Sequence, residues 1–397
     1  MRFVYINKGL APSDFKAYLE KYDNQLQQQA QKYNQLLMEG LVVGGAEVFS
    51  ISSRPVNRVM TRQRYFKGEM TREKGISYCY VPFINMPVLR MLSVFVNVFF
   101  KMLFLKGSKK DTVVICDALN IAATAAALCV AFLRGFPTLG IVTDVPCHLS
   151  NMQNIPFSQK LNLWVMRRFK SYLLLTEPMS QIVNPKNHPY IVMEGHSDSA
   201  MAQVENTLSG KNEKKICQYA GSLKKIYGIK ALVEGFVAAD IPNAELHVYG
   251  LGDYAEQLEE LASHHDNVKY LGVAPNSEIV QAELAATLLI NPRPTNEEYT
   301  KYSFPSKNME YMASGTPVLT TRLPGMPADH EPYCYFIEEE TPDGIAKALK
   351  TVLAQTPEQL HSFGMRAKEF VLKEKSNVAQ AKKVITFVEQ SFGLEEQ

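Results

Sequence analysis

A chain of 397 residues exceeds the roughly 250 to 300 at which one hydrophobic core stops growing, so two domains are expected. Hydrophobic residues at 46% and charged residues at 21% give a globular composition, which excludes a disordered or fibrous chain. A net charge of +2 supplies no overall field for a polyanion, so nucleic acid is not expected as a partner.

The opening "MRFVYINKG" reads as a first strand, with no signal-peptide apolar region or cleavage site, and a cytoplasmic location is expected. From there strand-like runs alternate with helix-length patterns, the mark of βαβ units and parallel sheets. The runs are "RFVYIN", "EVFSISS", "YCYVPF", "TVVICD", "TLGIVTD" and "SYLLLTE", with helices predicted at 25–41, 90–106, 118–134 and 157–169. The segment "ALNIAATAAALCVAFL" (118–133) carries no charge, but it is shorter than the ~20 residues that span a bilayer and reads as a buried crossover helix. The segment "RMLSVFVNVFFKMLFLK" (90–106) is interrupted by Asn97 and Lys101 and followed by "KGSKKD". It reads as a core helix or, alternatively, as a helix lying on a membrane surface with its lysines at the headgroups. Six cysteines (Cys79, Cys116, Cys129, Cys147, Cys217, Cys334) form no CxxC pair and sit mostly in apolar runs, as reduced thiols do in a cytoplasmic protein.

The polar stretch 196–215, "HSDSAMAQVENTLSGKNEKK", has no apolar period and is predicted to link an N-terminal domain (1–195) to a C-terminal one (216–375). The second domain repeats the alternation with "KICQYAGSL", "ELHVYGLG", "VKYLGV", "TLLINPRP" and "TPVLTT". Its helices are predicted at 228–238, 253–264, 277–286, 306–314 and 343–353. Past 357 the pattern is helical. The last helix, about 376–397, carries an apolar stripe (Val378, Val384, Ile385, Val388, Phe392) and is expected to pack back on the N-terminal domain.

One stretch carries chemistry: "SFPSKNMEYMASGTPV", 303–318. A strand ends at Pro292-Arg293-Pro294, a polar loop follows, and Pro305-Ser306 opens a short helix whose first N–H groups lack intrahelical partners. Lys307 in the first turn opposes the helix dipole, at a cost of a few tenths of a kcal/mol (roughly), unless an anion compensates. Glu310 shares the face of Ser306 and Lys307, so it can accept the hydroxyl protons of a ribose while the helix start holds phosphate. Met309, Met312 and Ala313 face the core, and Gly315 suits a left-handed cap. On spacing alone, a capped helix with a surface Glu–Lys pair is the other reading.

This stretch resembles the donor-site signature of retaining glycosyltransferases of family four. Its polysaccharide-building branch has the form "FPSK-x-x-EYMASGTPV". The pieces "YAGSL" (219–223), "YGIKALVEGF", "LHVYGLGDYAEQLEEL" and "VKYLGVAPNSEI" fall in the same order, and "GIVTDVP" (140–146) and "VMEG" (192–195) are in register upstream. The resemblance implies a GT-B fold: α/β, with two doubly wound Rossmann-like domains facing a central cleft. It implies transfer of a hexosyl group from a nucleoside diphosphate sugar to a saccharide or lipid-linked acceptor in cell-surface polysaccharide assembly, with no metal or other cofactor. Peripheral contact with the inner face of the membrane through 90–106 fits that setting.

Carried over residue by residue, Glu310 matches the ribose-binding Glu. Ser306 and Lys307 match the phosphate-facing helix start. Gly221 and Ser222 match the Gly-Arg turn at the diphosphate, with Ser222 in place of Arg. Tyr227 stands where the family has Lys, so Lys224, Lys225 or Arg293 is left to neutralise the phosphates. Tyr302 replaces the first Glu of the paired-glutamate motif; Glu297 and Glu298 lie upstream, and Glu298 is the one assigned to the donor sugar. Asp144, after Thr143 in place of the family's His, is the candidate acceptor base or a turn-capping Asp, with His148 in reserve. A sugar-nucleotide epimerase and a non-catalytic partner subunit remain as alternatives on the same fold.

Overall fold

The structure, a computed structural model, describes residues 1–22, 28–145 and 156–394. The chain divides into two units: Met1–His196 together with Asn377–Gln397, and Ser197–Ser376. Cys147 and His148 lie outside the described residues.

The first unit begins with β1 (Arg2–Asn7), α1 (Pro12–Lys21), α2 (Gln28–Val43) and β2 (Glu47–Ser52). Four short strands follow, β3 (Tyr65–Phe66), β4 (Glu69–Glu73), β5 (Ile76–Tyr80) and β6 (Phe83–Ile84), then α3 (Pro87–Leu103). It continues through β7 (Thr112–Asp117), α4 (Ile121–Arg134), β8 (Thr138–Val142), α5 (Phe157–Met166), β9 (Ser171–Leu174), α6 (Met179–Val183) and β10 (Tyr190–Val192). The second unit holds β11 (Lys215–Ala220), α7 (Ile229–Ala239), β12 (Ala244–Tyr249), α8 (Ala255–His264), β13 (Val268–Tyr270), α9 (Asn276–Ala285) and β14 (Leu288–Asn291). It ends with α10 (Ser306–Ser314), β15 (Val318–Thr320), β16 (Tyr335–Phe336), α11 (Pro342–Leu353) and α12 (Pro357–Glu374); α13 (Asn377–Phe392) returns to the first unit.

The first sheet has the order β10-β9-β8-β7-β1-β2-β5-β4 and is parallel apart from β4, which pairs antiparallel with β5. The order reverses between β7 and β1. Right-handed crossovers therefore place α2 on one face and α3, α4 and α5 on the other. α2 and α13 pack together: Leu37, Met38 and Leu41 share a core cluster with Ala381, Val384 and Val388, over Phe3, Tyr5 and Ile115 of the sheet. Asn377 Nδ2 donates to the Leu36 carbonyl at 3.0 Å, and a Cβ on Gly40 would meet the Asn377 carbonyl at 2.2 Å, so the two helices approach backbone to backbone.

The second sheet, β13-β12-β11-β14-β15-β16, is parallel throughout, and its order reverses between β11 and β14. Leu232 and Phe236 of α7 and Ile345 and Leu349 of α11 fill one side. Met309 and Met312 of α10 with Ala367 and Val371 of α12 fill the other.

Two differences from the sequence reading have physical causes. Residues 197–215, expected as a linker, form part of the second unit. Asn206 Nδ2 donates to the Ser314 carbonyl at 2.9 Å, and Lys211 Nζ donates to the Leu284 and Ala286 carbonyls at 2.8 and 3.0 Å. Polar composition there reflects polar anchoring of the backbone, not a solvated tether. The β4–β5 hairpin was not predicted, because β4, "EMTRE", is an exposed edge strand with no apolar alternation. Its turn residues Lys74 and Gly75 both have positive φ (49° and 79°), as a tight two-residue hairpin requires.

Candidate functional site

In open parallel sheets, ligands bind at the carboxyl ends of strands where the strand order reverses. In the second unit that point lies between β11 and β14. β11 runs into Gly221-Ser222, and β14 runs into Pro292-Arg293-Pro294. Gly250, at the end of β12, has φ 135°, and a Cβ there would lie 1.7 Å from the Gly221 carbonyl oxygen. Gly228, at the start of α7, has φ 78°, and its Cβ would lie 2.2 Å from the Pro292 carbonyl oxygen. Glycine at both positions is what lets these loops close on one another.

Buried polar contacts hold α10 in this neighbourhood. Asn308 Oδ1 accepts from Asn291 Nδ2 at 2.7 Å, and Asn308 Nδ2 donates to Thr320 Oγ1 at 3.3 Å, which ties the first turn to β14 and β15. The Tyr311 hydroxyl accepts from the Ala220 N–H at 2.9 Å and donates to the Ala220 carbonyl at 3.2 Å. That residue immediately precedes Gly221, so one buried side chain fixes α10 against the end of β11. Asn291, Asn308 and Tyr311 were missed in the sequence; an Asn closing an apolar strand was the available signal.

Inward-facing Asn308, Met309, Tyr311 and Met312 leave Ser306, Lys307 and Glu310 on the outer side of the helix. Ser306 is exposed, while the Lys307 and Glu310 side chains are each 27% exposed and pair at 3.0 Å. The helix has no side-chain N-cap and no acid in its first turn. Its start is therefore electropositive and offers N–H groups.

Arg293 is held by aromatic rings. Its guanidinium carbon lies 4.6 Å from the Tyr227 ring centroid and 5.9 Å from that of Tyr299. The two rings are 6.3 Å apart, and Arg293 Nε is buried with no hydrogen-bond partner among the described residues. Burial pushes the Tyr299 hydroxyl up to about 12, with Arg293 acting in the opposite direction, so this ring is a neutral wall. Lys224 Nζ lies 5.8 Å from the Tyr227 centroid on the adjoining turn. The Tyr at 227 thus carries cations on its face where the resembling family has a lysine.

Other predicted residues are placed differently. Lys225 is exposed, and its backbone N–H donates to Asp253 Oδ1 at 2.8 Å. Glu298 is exposed in the turn 298–302; the acid that bonds the loop is Glu340, which accepts from the Thr295 N–H at 2.9 Å. Asp144 belongs to the first unit, two residues beyond β8, exposed, and its Oδ1 accepts from the Val145 N–H at 2.8 Å.

The first unit has a cavity of about 350 Å³ at its own reversal point, between the ends of β1 and β7. Lys8, Gln31, Asn34, Asn57, Asp117 and Asn120 are among its lining. Asp117 Oδ1 accepts from the Leu119 N–H at 3.1 Å. Burial raises the Asp117 carboxyl above the usual range, offset in part by the Leu119 N–H and by Lys8. Lys8 and Asp117 went unassigned in the sequence because each reads as an ordinary strand-end residue.

Residues 214–355, wholly within the second unit, match the family described as glycosyl transferases group 1. Sucrose-phosphate synthase from Thermosynechococcus elongatus is similar in structure, with a TM-score of 0.67 at 14% identity, over 100% of both chains. The Anabaena protein HepE, solved with UDP, has a TM-score of 0.62 at 13% identity, over 98% of this chain and 100% of that one. A UDP-forming trehalose-phosphate synthase from Burkholderia xenovorans has a TM-score of 0.67 at 9% identity, over 98% and 99%. The fold is GT-B. No curated protein matches this sequence.

Proposed function

We propose that this protein is a glycosyltransferase that moves a hexosyl group, with retention at the anomeric carbon, from a nucleoside diphosphate sugar to an acceptor hydroxyl in cell-surface polysaccharide assembly. The observation that carries this is the placement of α10. Its uncapped start, with the half-buried Lys307–Glu310 pair on the outer face, is bonded to the ends of β11 and β14 at the point of strand reversal. The group 1 match over the same residues supports a sugar transferase in general.

In this reading the diphosphate takes the N–H groups of Ser306 and Lys307. Lys307 turns from Glu310 to a phosphate oxygen, and Glu310 accepts the ribose hydroxyl protons. Gly221 and Ser222 admit the diphosphate close to the backbone, with Lys225 at the rim and Glu298 near the sugar. Arg293, pre-set beside two aromatic rings, stabilises the charge that grows on the leaving diphosphate as its bond to the anomeric carbon breaks. The acceptor oxygen forms its new bond on the same face and gives up its proton. Asp144 is the candidate, carried over from the resemblance, for the group that takes that proton. No metal is required, because helix dipole and side-chain cations supply the positive charge. A lipid-linked saccharide at the cytoplasmic face of a membrane is the proposed acceptor.

The test is turnover of UDP- and GDP-hexoses in chelator, with nucleoside diphosphate release and product configuration followed by NMR. Retention is expected. Arg293→Ala is expected to lower kcat by about a hundredfold, and Arg293→Lys by less, since it keeps charge without the planar fork. Inversion, or a requirement for magnesium, contradicts the proposal. Nucleotide binding without turnover is the outcome expected of a non-catalytic subunit.

A further inference from the structure

The first unit exposes an apolar face that its fold does not cover. α3 buries Val94, Val98 and Met102, a single i, i+4 row, against its own unit. On the opposite side Leu89, Leu92, Val96 and Phe100 follow one another at helical spacing, with Leu92 57% and Phe100 52% exposed, and Phe104 just beyond is 77% exposed. α3 is thus a core helix along its inner row only, and its own unit leaves the outer row uncovered. α3 is not a span: no helix among the described residues is long and apolar enough to cross a membrane.

The face extends sideways. The Arg134 guanidinium donates to the Met102 carbonyl at 3.2 Å and to the Gly107 carbonyl at 2.8 Å, tying the C-terminal ends of α3 and α4 together. At that end of α4, Phe132 and Leu133 are exposed; on α5, Phe157 and Trp164 are exposed. All three helices lie on the same side of the sheet. A groove of about 530 Å³ opens beside Phe100 and Phe104, with Lys101 and Lys106 in its lining; its acid, Glu47, is paired with Arg2 at 2.8 Å.

Charge selects the occupant. α3, α4 and α5 contain no Asp or Glu, while Lys106, Lys109 and Lys110 follow α3, and Lys160 and Arg168 are exposed on or just after α5. In a chain of net charge +2 this is a local concentration of positive charge around an apolar surface. A second copy docking isologously would set lysine against lysine, with only Asp111, next to Lys110, and Glu47, already paired with Arg2, as nearby acids. An anionic bilayer answers both features: acyl chains accept the apolar row and lipid phosphates accept the lysines.

We propose that the outer face of α3, continued by Phe132 and Leu133 of α4 and Trp164 of α5, docks on an anionic phospholipid bilayer. The inference stands apart from the sugar-transfer reading, since membrane docking needs no intact donor site.

The test is co-sedimentation of the full chain with vesicles of phosphatidylcholine alone and of phosphatidylcholine with phosphatidylglycerol. Binding to the anionic vesicles is expected to exceed binding to the neutral ones by about tenfold or more, and to weaken as salt rises. Leu92→Glu with Phe100→Glu is expected to lower it about tenfold or more, as is Lys106→Ser with Lys109→Ser and Lys110→Ser. Leu271→Glu, an exposed apolar position in the second unit, should change nothing. Circular dichroism and thermal unfolding confirm that each variant folds. Trp164, the only tryptophan, reports on the wild type without mutation: brominated phospholipids are expected to quench it. Equal binding to neutral and anionic vesicles, undiminished binding by both variants, an unquenched Trp164, or a dimer that the Leu92 and Phe100 changes split would each overturn the proposal.

Discussion

Lys307 occupies a helix start that disfavours a cation, and Glu310 one turn later offsets the cost in the absence of ligand. An i, i+3 pair contributes at most ~0.5 kcal/mol on a helix surface, so exchanging it for a diphosphate and a ribose is energetically easy. His196 shows how burial sets a residue's chemistry elsewhere in the molecule. Its Nε2 lies 3.0 Å from the Tyr33 carbonyl, and its buried Nδ1 has no partner among the described residues. Burial lowers its pKa from 6.5 to about 4, with the Tyr33 carbonyl opposing the shift. The unfolded chain takes up this proton near 6.5 and the folded chain only near 4. Stability from this residue is therefore complete above 6.5 and is lost as the pH falls to 4, by up to ~3 kcal/mol. Denaturant titrations across that range should show His196→Gln with a shallower pH dependence than wild type; equal slopes would contradict the assignment. The pairing of Lys307 with Glu310 on the outer side of α10 was legible because Ser306, Lys307 and Glu310 share one face of a helix. The cage around Arg293 was not, because Tyr227 and Tyr299 meet only after the sheet has formed.

α10 binds through Tyr311, whose hydroxyl satisfies both the N–H and the carbonyl of Ala220. Tyr311→Phe would leave both groups buried without that partner, and a loss of about 1–3 kcal/mol is expected from urea unfolding. An unchanged unfolding midpoint would show that α10 is not held in this way. Among helices, α4 and α10 were legible because an apolar period ends at a left-handed glycine, Gly135 and Gly315. α3 was legible as a helix, though not in which of its apolar faces is covered; hydropathy does not distinguish a row against a sheet from a row left outside. The β4 strand gave no pattern, since an exposed edge strand needs none.

Across the whole molecule, each unit places polar residues at the strand ends where its own strand order reverses: Ser222 and Arg293 in the second, Lys8 and Asp117 in the first. The alternation of strands and helices made the two doubly wound sheets readable from sequence. The boundary after 196 was misplaced on its far side, because Asn206 and Lys211 are polar residues that serve as anchors. Sugar transfer of the proposed kind requires the second unit to seat a nucleoside diphosphate without metal. The most direct measurement is calorimetric titration of UDP and GDP, in chelator, into wild type and Glu310→Ala. At least one nucleotide is predicted to bind wild type, and the variant is predicted to bind it about tenfold or more weaker, as loss of charged hydrogen bonds to two hydroxyls implies. Affinity that is indifferent to Glu310, or that appears only when magnesium is restored, would contradict it.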